Sequence, residues 1–260
     1  SIAPSDFVIH RILTTFLGLE IINLLSVVFG KITISWLVWA TFLYFMVNII
    51  FYKLLLKIFQ SSKTAFLGAL FFASNYTMVV FGPTYFMDIG GWFFYILSVY
   101  FLFTYIESNQ KRDLWTAALA ISVGGFFKEN ALLAYIPMFF VLVYECLPSL
   151  TSFVRKIIPL SLVIFLPVAI HHVLVFTTFG ETYIHWIRLN REVFHYPSRI
   201  VEYVKSFGSL LNFLIPLSLA GLFVFLRSDK YFLFEIKKKV FIFFVLLSSV
   251  PAVLWPGITQ

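Results

Sequence analysis

Along its 260 residues the chain alternates long apolar runs with short polar breaks. The firm runs are Thr33–Tyr52, Ala65–Phe81, Ile89–Ile106, Leu114–Phe127, Ala131–Leu147, Ile157–Thr178, Phe207–Leu226 and Val240–Trp255. Runs of roughly 17–25 apolar residues match a hydrocarbon core about 30 Å thick. Leu114–Phe127 is short alone, and Lys111, Arg112 and Lys128 lengthen it as snorkelling anchors. Ser1–His10 reads as a short polar lead. Ile12–Phe29 is apolar but carries Glu20 and Asn23 behind Arg11, and is expected to lie on the outer surface rather than to span. Backbone groups in lipid must bond within their own segment, so the fold expected is all-α. It is a polytopic transmembrane helix bundle with about eight spanning helices and one N-terminal interfacial helix.

One polar break matters more than the others. If Leu114 to Leu147 formed a single helix it would extend roughly 50 Å, too long for the bilayer. The chain is therefore expected to turn near Lys128-Glu129-Asn130 and to leave these residues at a membrane–water boundary. Asn130 is expected to N-cap the following helix, whose free N–H groups would face whatever binds above Lys128. A lysine beside a helix start suits an anion. The competing reading is a locally neutralised Lys–Glu pair at a turn.

Composition supports the membrane reading and removes other classes. The chain is 61% apolar and 12% charged, which no ordinary soluble domain matches. Its net charge of +7 suits loops against anionic headgroups, and no basic run interleaved with aromatics outside the spans suggests a nucleic-acid partner. The 34 phenylalanines suggest a lipid-facing aromatic exterior. Cys146 is the sole cysteine, so neither an intrachain disulfide nor a cysteine metal site is available. His171 and His172 are adjacent and point to different sides of a helix, and the sequence supports no divalent-metal site. Glu20, Asn23 and Asn48 read as polar contacts between helices. Asn75-Tyr76-Thr77 has the glycosylation pattern but lies in an apolar run.

The charges orient the spans. Lys53, Lys57, Lys63, Lys111, Arg112, Arg155, Lys156, Arg227, Lys230, Lys237, Lys238 and Lys239 fall in alternate breaks and make up most of the 19 basic residues. The positive-inside rule puts that set in the cytoplasm. Asp88, Lys128-Glu129 and the long Glu181–Lys205 loop then share the external face. The loop holds Arg188, Arg191, His195 and Arg199 among Tyr183, Trp186 and Tyr196, a mixture suited to phosphate and sugar. The same aromatics also read as an interfacial belt. Asp88 opens the Ile89–Ile106 helix, where a carboxylate is favoured by the helix dipole whether or not it has a further role.

With these residues in view, the chain resembles the multi-spanning GT-C glycosyltransferases, in the protein-mannosyltransferase-like branch of glycosyltransferase family 39. Arg11–Gly30 is similar to the amphipathic helix that closes the family's first external loop, and Ser62-Lys63-Thr64-Ala65 through Asn75 to its loop and third helix. Asp88 stands where the family has an acidic residue opening the fourth helix. Gly124-Gly125-Phe126-Phe127-Lys128-Glu129-Asn130-Ala131-Leu132-Leu133 through Pro137 is similar to its lysine-containing turn. The resemblance implies an external cavity and inverting transfer from a polyprenyl-phosphate sugar, with membrane lipid as surroundings. It implies catalytic roles for Asp88 and Glu129, and donor binding by Lys128, Arg188, Arg191, Arg199 and His195. The family's first helix and first acidic motif would precede Ser1, so the chain is expected to be a piece of a longer protein. The domain expectation is a GT-C-like module over residues 1–180, an external loop over 181–206 and C-terminal spans over 207–260. A prokaryotic plasma membrane with the active face outside is the expected location. The alternatives are a non-catalytic subunit scaffolding a membrane-protein complex and a transporter or flippase. Charges gathered at one face, with no inverted repeat, count against the last.

Overall fold

A computed structural model describes residues 4–74, 78, 88–147, 149–180 and 241–245, and within them the chain is helical with no strand. Helix α1 spans Pro4–Phe29, α2 Ile32–Phe59, α3 Ser62–Ala73, α4 Asp88–Ser108 and α5 Lys111–Gly125. A 3₁₀ segment, Glu129–Ala134, runs into α6, Tyr135–Cys146, and α7 covers Leu150–Phe179. Residues 241–245 are also helical. The all-α membrane fold expected from the apolar pattern is therefore present. Among the described residues four stretches are long and apolar enough to cross a membrane: Ile32–Phe59, Ile89–Ser108, Glu129–Cys146 and Leu150–Phe179.

Short connections fold the helices back on one another. Gly30 adopts φ +69° between α1 and α2, a left-handed conformation that a side chain would strain. Ser61 and Ser149 begin α3 and α7 by accepting hydrogen bonds from Thr64 N–H and Ser152 N–H. Helix α4 is the centre of the bundle: 61% of its most apolar stretch is buried, against 11% in α7. Leu102 and Phe103 of α4 are fully buried, in one core with Val47, Ile121, Met138, Leu142 and Ile164. In a bilayer the exposed apolar face of α7 meets lipid, which is why so little burial accompanies so apolar a helix. Many phenylalanines follow the same logic, with Phe42, Phe45, Phe66 and Phe71 outside. Phe103 and Phe127 are core residues, however, and Phe140 stacks on Phe244 at 3.5 Å.

Several expectations need correction. The polar lead is not separate, because α1 begins at Pro4, where proline's fixed φ and absent N–H suit a first helical position. Glu20 and Asn23 are exposed, and Asn48 donates to the Tyr44 carbonyl of its own helix at 2.7 Å, so among the described residues none of the three bridges helices. Helix α3 spans Ser62–Ala73, and Ser74 caps it in a helical conformation with its N–H bonded to the Leu70 carbonyl and its hydroxyl to that of Phe71. Met78 is helical, and residues 75–77, with their Asn75-Tyr76-Thr77 pattern, lie outside the described residues, as does the Phe207–Leu226 run.

Candidate active site

The polar turn between α5 and α6 falls where the length of the apolar runs required it. At its start the N–H groups of Phe127 and Lys128 both bond the Gly124 carbonyl at 2.9 Å, closing α5 abruptly. Lys128 then takes an extended backbone, φ −167° and ψ 139°, and its carbonyl accepts from Ala131 N–H at 3.1 Å to open the 3₁₀ segment. The cap position thus belongs to Lys128 and not to Asn130, which lies within the 3₁₀ winding, and no side chain caps that segment. Pro137 offers a physical reason. It has no N–H for an α-type bond back to Leu133, which favours tighter winding upstream. A six-residue 3₁₀ segment is a weaker anion receptor than the α-helix start expected from the sequence.

Glycine pairs bring this turn against the central helix. A methyl group at position 91 of α4 would lie 2.7 Å from Lys128 Cβ and overlap the Asn130 carboxamide. At Gly90 it would lie 2.9 Å from the Phe127 ring, and at Gly124 it would sit 2.5 Å from Phe94 Cβ and 2.6 Å from Ala131 Cβ. Phe127, buried, packs its ring 4.8 Å from Phe94 and 6.2 Å from Trp39. Phe126 faces the other way: its carbonyl accepts from Leu17 N–H of α1 at 3.2 Å, and its ring meets His171 of α7 at 5.5 Å. His171 also contacts Phe16 at 5.0 Å, while His172 Nδ1 lies 3.0 Å from the Val168 carbonyl. The two histidines therefore serve different surroundings.

Lys128 and Glu129 are partly buried, and Lys128 Nζ lies 3.9 Å from Glu129 Oε1, longer than a hydrogen bond. The other carboxylate oxygen, Glu129 Oε2, is buried and has no hydrogen-bond partner among the described residues. Asn130 Oδ1 is buried and unpartnered in the same sense, and it fills the notch over Gly91. Asp88 begins α4, less than one turn before Gly91, so the main chain carries it to this end of the bundle. Arg188, Arg191, His195 and Arg199 lie outside the described residues. The turn thus brings together Lys128, Glu129 and Asn130 against the start of the helix that Asp88 opens. The glycine notch at position 91 was not among the residues singled out from the sequence. Its signal was the pairing of Gly90-Gly91 with Gly124-Gly125 at two helix ends.

Comparison with protein families matches residues 15–173 to the dolichyl-phosphate-mannose-protein mannosyltransferases. The match runs from α1 into α7 and includes both Asp88 and the Lys128 turn. The chain belongs to this family. It is a membrane glycosyltransferase family, so the resemblance read from the motifs holds and the transferase class follows. No curated protein and no solved structure gives a significant match. For this mannosyltransferase relative the described geometry supplies a lysine, a carboxylate and a carboxamide at one end of a helical bundle.

Proposed function

We propose that the protein transfers a sugar from a polyprenyl-phosphate donor to an acceptor on the external face, with Lys128 holding the donor phosphate. The observation that carries this reading is Lys128 itself, a partly buried cation packed by its Cβ over Gly91 inside the span matched to the family. A cation held in a low-dielectric setting interacts far more strongly with developing negative charge than one in water. In the reaction the bond between the sugar's anomeric carbon and the phosphate oxygen breaks, and its electron pair goes to the phosphate. The acceptor oxygen bonds the anomeric carbon and gives its proton to a carboxylate. Lys128 would stabilise the leaving phosphate. Asp88 is the carboxylate that this reading assigns to the acceptor proton, and Arg188, Arg191 and Arg199 are further cations for the lipid phosphate, with His195 beside them. Charge bias between the breaks supports the external face.

The test is turnover of dolichyl phosphate mannose by the full-length protein and its Lys128→Ala variant, with thermal unfolding in detergent as a folding control. Loss of one preorganised charge-stabilising group is expected to lower kcat by about 10²–10³. A folded Lys128→Ala variant with unchanged kinetics overturns the assignment.

A further inference from the structure

We infer that Glu129 forms a subsite for the hydroxyl groups of the donor's sugar, next to the lysine that holds its phosphate. This rests on the reading of Lys128 given above and adds the class of group bound beside it. Glu129 presents two carboxylate oxygens with different surroundings. Oε1 faces Lys128 Nζ across 3.9 Å, whereas Oε2 is buried without a hydrogen-bond donor among the described residues. A buried acceptor that lacks a donor is costly, and native structures place such groups where something else supplies the bond.

The missing partner must be a donor, and that requirement is selective. An ionised phosphate has acceptor oxygens only, so a bare lipid phosphate would satisfy Lys128 and leave Glu129 Oε2 as it is. It would also be repelled by the carboxylate. A phosphate carrying a polyol meets both demands, because its oxygens face the cation and its hydroxyls point to the carboxylate. Lys128 and Glu129 are consecutive residues, so the two complementary groups must also lie close together in the ligand, as they do in a sugar phosphate. Asn130 fixes the spacing by seating its carboxamide over Gly91, which leaves little freedom for the residues before it.

The experiment measures equilibrium binding of two probes, dolichyl phosphate and dolichyl phosphate mannose, to the full-length protein in lipid nanodiscs. Wild-type protein is expected to bind the mannosylated lipid more tightly. Glu129→Gln keeps the volume of the side chain but loses one acceptor and the charge, and is expected to reduce that preference about tenfold, within the range for a hydrogen bond to a charged group. Its affinity for dolichyl phosphate should not fall, since the repelling charge is gone, so the loss is read on the mannosylated lipid itself. Lys128→Ala should weaken both probes together. A Glu129→Gln protein that retains the full preference overturns the subsite, as does one in which both affinities fall in parallel. If Lys128→Ala leaves both affinities intact while Glu129→Gln still removes the preference, the phosphate reading fails and the sugar contact stands alone. Wild-type protein that binds neither probe overturns both assignments.

Discussion

The two ends of the helical bundle treat their polar groups in opposite ways. At the end formed by the C-termini of α2, α4 and α6, the contacts are short. Lys57 pairs with Glu107 at 3.0 Å, Lys156 with Glu145 at 3.0 Å, and Tyr105 donates to the second oxygen of Glu145 at 2.6 Å. Ser108 donates to buried Asp113 at 2.8 Å, joining α4 to α5. At the Lys128 end the Lys128–Glu129 pair is 3.9 Å long, and two buried oxygens, on Glu129 and Asn130, lack partners among the described residues. The same helices carry both arrangements, so the difference is local. Glu145 has each oxygen engaged, whereas among the described residues Glu129 has one oxygen engaged loosely and the other not at all. A satisfied network holds helices together, whereas an incomplete one leaves acceptors whose hydrogen bonds something else must supply.

That contrast is open to direct attack. The largest effect should come from Gly91→Val, which drives a branched side chain into the space of Lys128 Cβ and the Asn130 carboxamide. The turn would be pushed away from α4, with turnover reduced by more than tenfold and stability lowered by about 1–3 kcal/mol, the usual cost of overpacking. Gly91→Ala should be milder in both respects. Retained wild-type turnover in Gly91→Val would mean that the turn tolerates displacement and the site does not depend on the notch. Glu145→Ala should act on stability alone. It leaves the Tyr105 hydroxyl and Lys156 without their carboxylate, at a cost of about 1–3 kcal/mol read from thermal unfolding, while kcat per folded molecule stays unchanged. A fall in kcat without loss of stability would erase the distinction between the ends. The smallest effect belongs to Lys57→Ala, whose pair with Glu107 is partly exposed and worth about 0–1 kcal/mol. A much larger loss would place that pair in the supporting network.

Much of this organisation was legible in the chain. The turn at Lys128 followed from length alone, because the apolar runs on either side cannot fit one bilayer crossing as a continuous helix. The separation of Lys57 and Lys156 from Lys128 followed from counting charges in alternate breaks, and their ion pairs at the far end of α4 agree with it. The family was readable from the order of weak motifs. What escaped is local. Asn130 is a good N-cap in isolation, but hydrogen bonds converging on the Gly124 carbonyl fix where α5 ends and leave the cap position to Lys128. Polar residues at α1 suggested helix contacts, yet exposure is decided by which face of α1 meets α2 and α7, and its weak periodicity does not reveal that. The notch at Gly91 depends on two segments that are distant in sequence and meet only in the folded bundle.

Phe126 has a consequence for how the protein is made. Its carbonyl is bonded by the first described helix and its ring is met by His171 in α7. A membrane chain is released from its insertion machinery in order, so the turn that carries Lys128 is inserted before the helix that supplies His171 has been synthesised. Until residue 171 arrives, Phe126 is held from the α1 side but not yet from α7. The last contact made to the turn is therefore the one from α7, and a ribosome stalled between α6 and α7 should leave a nascent chain in which Phe126 lacks its His171 neighbour while the turn already lies against α4.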